Sequence, residues 1–219
     1  MISLEERIGK LELVLRNIEL SIKAGIRVSL PAIVTSFDPE KQTISCIPAI
    51  RELVNTNGKA EFKTLPELKD VPINIPRGGG WSITLPIEVG QECQVIFQDL
   101  CIDGWWFRGG IQNWNDIRRH DLSDAIAIFS PYSQQNVLSS YNTQGLEIRS
   151  DDGKTKITLK EDGVIMECPN GLTINGDIQV DGKIDSTGDI TAGTISLQGH
   201  THLYNPGPGD PTSTGEPEI

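Results

Sequence analysis

The stretch from Gly145 to Gly199 reads GLEIRSDDGKTKITLKEDGVIMECPNGLTINGDIQVDGKIDSTGDITAGTISLQG, and its punctuation decides the fold. Glycines recur at 145, 153, 163, 171, 176, 182, 188, 193 and 199. Between them sit short apolar alternations: Leu146/Ile148, Ile157/Leu159, Leu172/Ile174, Ile178/Val180 and Ile195/Leu197. Alternation of this kind marks strands with one apolar face. Strands this short bury too little apolar surface within one chain, so a second layer has to come from elsewhere. A single-chain β-solenoid is one solution, but it needs roughly 20 residues per coil. The spacing here is irregular and tightens toward the end, which favours three identical chains winding about one axis, each closing the core of the others. Such a prism pairs nearly every strand edge and gives a stiff, slow-unfolding rod. Asp151, Asp152, Asp162, Asp177, Asp181, Asp185 and Asp189 fall beside turns, where Asp is expected for backbone reasons rather than for catalysis or calcium binding.

Upstream, Leu4, Ile8, Leu11, Leu15, Ile18 and Ile22 are spaced 4, 3, 4, 3 and 4 apart, a three-heptad seam on a helix expected from Ser3 to Ala24. Ser3 with Glu6 forms a capping-box pattern, and Gly25 is a stop. The seam fits either packing on its own domain or a short parallel coiled coil, and isoleucine at both kinds of seam position leans toward three strands. From Ile26 to about Ser130 the pattern changes to short alternating segments (Ile26 to Thr35, Gln42 to Ile47, Glu92 to Phe97, Ile126 to Phe129), the signature of a small antiparallel β-barrel or sandwich. Trp81, Trp105, Trp106, Phe107 and Trp114 lie within it and are expected to pack in its core or at an interface rather than to stack bases. The expected organisation is a helix over 1–25, a barrel over 26–131, a connector over 132–143, a shaft over 144–198 and a tip over 199–219.

Composition limits the function. The 219 residues carry 19 basic against 30 acidic side chains, net −11, which argues against nucleic acid or anionic lipid as a primary partner. From Gln144 onward there are 5 basic and 13 acidic residues, and none is basic past Lys183. No run of about 18 apolar residues exists to span a membrane as a helix. The opening MISLEERIGK lacks the charge pattern of a secretion signal, so synthesis and assembly in the cytoplasm are expected. Cys46, Cys93, Cys101 and Cys168 show no metal-finger spacing and read as reduced, mostly core thiols.

The segment Gly199-His200-Thr201-His202 is the metal candidate. In an extended chain residues i and i+2 share a face, so His200 and His202 can point together. In one chain this is a weak signal; a threefold axis collects six imidazoles into a closed set that favours iron or nickel over zinc and copper. With no open position, such a metal is structural. His120 lies far upstream and is not expected to join it.

Taken together, these motifs resemble the central spike, or membrane-piercing, proteins at the baseplate of contractile-tailed bacteriophages, in the group with an N-terminal oligosaccharide-binding-like barrel. The resemblance rests on Asp70-Val71-Pro72-Ile73, Arg77-Gly78-Gly79-Gly80-Trp81, Leu85-Pro86-Ile87 with Gly90, Asp103-Gly104-Trp105, and Arg118-Arg119-His120-Asp121-Leu122-Ser123-Asp124-Ala125. At the far end it rests on the HxH pair and the Gly-Pro-Gly after it. It implies a mainly β homotrimer: barrel at the wide end, an intertwined triple-stranded β-helix as shaft, and a pointed tip holding one iron ion per trimer on the six nitrogens of His200 and His202. It further implies a place at the baseplate centre of the virion, baseplate hub and tail tube proteins as partners, transient passage through the host outer membrane on sheath contraction, and no catalytic activity. The N-terminal helix does not map onto the family pattern. A trimeric receptor-binding or polysaccharide-degrading tail protein is the competing expectation, but the 17 residues after His202 are too few for a receptor head.

Overall fold

The computed structural model describes residues 4–56, 58–130, 132–200 and 207–208, without the side chains of 4–10, 24 and 56. The chain divides into two compact units, Met1–Thr143 and Gln144–Ile219.

The first unit opens with α1 (Leu4–Gly25), which ends on the expected glycine; the Ser3 cap lies outside the described residues. Then come β1 (Ser29–Asp38), β2 (Thr43–Pro48), β3 (Glu52–Thr56), β4 (Lys59–Lys63), β5 (Leu68–Pro72), β6 (Arg77–Gly78), β7 (Trp81–Ser82), β8 (Glu92–Phe97), the short helix α2 (Asp103–Arg108) and β9 (Ala125–Ile128). Five of these strands form one antiparallel sheet in the order β5-β2-β1-β8-β9, while β3-β4 and β6-β7 stand apart as two-stranded ribbons. The sheet curls because β1 shifts register between Val34 and Ser36, and β2 does so between Ile44 and Cys46. Such bulges bend a strand and raise its twist. The curl brings the sheet's two ends together at a parallel bridge between Ile73 and Ala127, where Asn74 N–H donates to the Ala127 carbonyl at 2.8 Å. The expected barrel is therefore a curled half-barrel, since the residues of β3, β4, β6 and β7 form ribbons instead of completing the wall.

Alternation along β8 sends Cys93, Val95 and Phe97 inward, matched by Ala32 and Val34 of β1, Ile44 and Cys46 of β2, Leu68 and Val71 of β5, and Ala125 and Ala127 of β9. Small and branched residues fill this narrow interior. Of the two expectations for the tryptophans, core packing does not hold and packing at an interface stays open: Trp81 is 83% exposed, and Trp105, Trp106, Trp114 and Phe107 are exposed as well in the single chain. All four cysteines are free; Cys46, Cys93 and Cys101 are buried and Cys168 half-buried. Contact with Cys93, together with burial, pushes the Cys46 thiol far up, so that it stays a neutral core group.

In the second unit β10 (Leu146–Arg149), β11 (Lys156–Lys160) and β12 (Gly163–Glu167) form a three-stranded antiparallel sheet, and β13 (Thr191–Ala192) pairs with β14 (Ile195–Ser196). Among the described residues no strand lies between Glu167 and Thr191, although Leu172/Ile174 and Ile178/Val180 alternate as strands do. A strand exists only against a hydrogen-bonded neighbour, and one copy of the chain supplies none there. Thr158 is the one buried residue among those described in this unit; Leu146, Ile148, Leu172, Ile174, Ile178 and Val180 are all exposed. No helix among the described residues is long and apolar enough to cross a membrane.

Candidate functional site

The site predicted at the tip begins with a hairpin. Between β13 and β14 stand Gly193 and Thr194, with Gly193 at φ +63°, the left-handed conformation that a two-residue hairpin loop needs at its first central position. A chain of polar contacts then fixes the residues that follow. The Asp189 carboxylate accepts from the Ser196 hydroxyl and, at 3.1 Å, from the Gln198 N–H, and these bonds hold it below the ordinary carboxylate range. Ser196 Oγ in turn accepts the Gly199 N–H at 2.8 Å. His200 folds back on the same turn. Its N–H donates to the Ser196 carbonyl at 3.1 Å, and its ring Nδ1 lies 3.0 Å from that carbonyl and 3.1 Å from the Leu197 carbonyl.

Carbonyl oxygens only accept, so in this pose a neutral ring carries its proton on Nδ1. An imidazole held through one nitrogen by backbone carbonyls is a feature that metal-binding histidines share. His202, the second predicted ligand, lies outside the described residues. His120 belongs to the first unit, with Nε2 3.5 Å from Asp99 Oδ1.

Among the carboxylates beside turns, Asp152 Oδ1 accepts from the Ser150 hydroxyl at 2.6 Å and from the Lys154 N–H at 3.1 Å, which keeps its carboxyl far below the usual range.

Sequence reading missed one constellation. Asp103 at the start of α2, Cys101 just before it, and Asp124 just before β9 place three possible ligand atoms within 4.8 Å of one another. The guanidinium of Arg118 fills this cluster: Nε donates to Asp124 Oδ2 at 3.0 Å, and one terminal nitrogen reaches Asp103 Oδ2 at 2.8 Å and Cys101 Sγ at 3.0 Å. Asp124 is wholly buried and also accepts the Ile102 N–H at 3.0 Å. Paired with both carboxylates, Arg118 is held well above its already high pKa. The cluster is an internal ion-pair knot that ties the loop over 98–124 to the sheet, not a cation site. Its parts were visible as separate motifs, Asp103-Gly104-Trp105 and Arg118 to Ala125, without the fold that joins them. Nearby, Glu92 of β8 accepts from the Ser133 hydroxyl at 2.8 Å and from Asn136 Nδ2 at 2.9 Å, so the connector is pinned to the sheet and the Glu92 carboxyl is lowered.

Comparison with known proteins places the first unit. No curated protein matches the chain. Residues 30–130, the span of the half-barrel and its knot, match the family described as the phage protein Gp138 N-terminal domain, a similarity that supports a phage structural protein.

Proposed function

We propose that the protein is the central spike of a contractile-tail baseplate, a homotrimer that crosses the host outer membrane when the sheath contracts. One observation carries this reading: a phage structural domain is followed by a shaft whose alternating Ile, Leu and Val side chains lie bare in a single chain. Three copies wound about one axis cover them. Each such side chain moved from exposure into an intersubunit core contributes about 1.5–3 kcal/mol. The uncovered backbone of 168–190 then finds its hydrogen-bond partners on neighbouring chains, as an intertwined triple-stranded β-helix requires.

The work of such a protein is mechanical rather than catalytic. Sheath contraction supplies the energy, and the spike transmits it without buckling while hub and tail tube proteins hold its upper end. The acidic shaft does not adhere to an anionic membrane surface, which suits passage rather than binding. At the tip, His200 and His202 from three chains supply six imidazole nitrogens to one iron ion. When bound, the ion cross-links three chain ends where fraying is otherwise easiest. The chain's own part is to hold each His200 ring, whose Nδ1 lies against the Ser196 and Leu197 carbonyls. Native mass spectrometry of the untagged full-length protein tests this reading. Three 24.0 kDa chains with one added ion near the mass of iron are expected. A monomer would remove the trimer, while a metal-free trimer would remove the tip alone.

A further inference from the structure

We infer that α1 is a parallel coiled-coil clamp formed with the same helix of the other two copies of this chain, an inference that rests on the trimer proposed above. The first observation is exposure. Leu11, Leu15, Ile18 and Ile22 are each 50–59% exposed, so the described part of the seam does not pack on the protein's own half-barrel. A 22-residue helix with a bare apolar seam is marginal by itself and gains its stability from a partner.

Charge selects the partner and its direction. With Ile8, Leu15 and Ile22 at the a positions and Leu4, Leu11 and Ile18 at d, all three e positions are glutamate: Glu5, Glu12 and Glu19. An antiparallel pair sets e against e and so places glutamate against glutamate along its length. A parallel assembly sets g against e instead, where the register pairs Arg7 with Glu12 of a neighbouring copy and Val14 and Ser21 stand at the other g positions. Within one helix Glu19 also accepts from Lys23 at 2.6 Å, so its charge is partly satisfied on the outer side. The parallel arrangement is also the one that chains already joined in register through a shaft impose. Only residues 26–28 separate α1 from β1, so a trimer holds its three helices at raised effective concentration. The seam's lean toward three strands is weak, since Ile8 with Leu11 suits two and Leu15 with Ile18 suits more. The number three comes from the shaft.

Cysteine cross-linking in the full-length protein tests the clamp. In a Cys168→Ser background, Leu15→Cys places a thiol on the seam and Leu13→Cys places one on the opposite side of the helix. Native mass is recorded first, then mild oxidation and a denaturing gel. A trimer in which Leu15→Cys converts about two-thirds of the chains to covalent dimer, because three thiols on one axis allow one bond, while Leu13→Cys leaves monomer, is the expected result. A trimer with no Leu15 cross-link, or with equal cross-linking at both positions, overturns the clamp and leaves the spike reading standing; the seam then serves another baseplate protein. A monomer overturns both. If Leu15→Cys does not fold, Ile18→Asp supplies the second reading: loss of most far-ultraviolet helical signal with the trimer mass kept supports the clamp, and an unchanged signal refutes it.

Discussion

Val95 and Ile178 are both β-branched residues in alternating apolar segments, yet Val95 is 0% exposed and Ile178 is 66% exposed. Around Val95 the chain supplies its own second face, because β1 and β2 bulge, the sheet curls, and Ile73 meets Ala127 across the gap. Around Ile178 the described residues supply no second face, and the side chain stays exposed. The same local pattern thus completes a core in one region and leaves half a core in the other. Alternation by itself specifies which side chains share a face, and the source of the covering layer is a separate question.

The sharpest way to break this comparison is to put a charge at each position. Val95→Asp is expected to unfold the half-barrel in any assembly state, since it buries an unpaired carboxylate in a closed core. Ile178→Asp is the informative partner. In a monomer it is a surface change worth within about 0.5 kcal/mol. In a trimer it sets three carboxylates around one axis, and loss of the trimer by native mass is the expected outcome. An unaltered trimer of Ile178→Asp would dispose of the shaft.

Next in size is the Arg118 knot, which belongs to the self-sufficient region alone. Arg118→Ala leaves Asp124 buried without its partner and is expected to cost about 3–5 kcal/mol. Denaturant unfolding followed by tryptophan fluorescence reads this change, because Trp105 and Trp106 sit on α2 beside Asp103. Trimer mass and metal content should not move.

At the tip, His200→Ala with His202→Ala is expected to keep a soluble trimer, remove the metal and lower the stability of the tip; unchanged metal content in the double variant would sink the ligand assignment. Acid should loosen the hairpin beneath them. Its Asp189 carboxyl is held below the ordinary value of 3.8, so its contribution is fully present above that value and is lost as pH falls below it, which amide exchange near Gln198 and Gly199 can report. The smallest expected effect is that of Asp189→Asn, which weakens the bonds that orient Ser196 and through it His200. Metal affinity should fall about tenfold, as outer-sphere changes do.

Much of this was legible before any coordinates. The helix over Leu4–Gly25 and strand β8 over Glu92–Phe97 follow from periodicity and punctuation, since both signals are local. Which of the two places the tryptophans take, core or interface, was not legible, because their area argues for burial in either and only the fold shows that the half-barrel's own core leaves them on its surface. Spacing did not reveal the Arg118 knot, whose members Cys101, Asp103, Arg118 and Asp124 lie on both sides of a loop that only the fold closes. The anchoring of His200 was also invisible, because its partners are backbone carbonyls, which every residue carries.

The sequence by itself determined the periodic elements, the boundary in character near residue 144, the acidic shaft with its glycine punctuation, and the HxH pair. These depend on neighbours within a few positions, where backbone geometry and side-chain direction are tightly coupled. Tertiary structure alone decided that the aliphatic strands curl into a core while the tryptophans stay on the surface of the single chain, that a guanidinium fills the acidic cluster, and that the His200 ring lies against backbone carbonyls. Each of those depends on volume, burial or approach between groups distant in the chain, and no spacing rule encodes them.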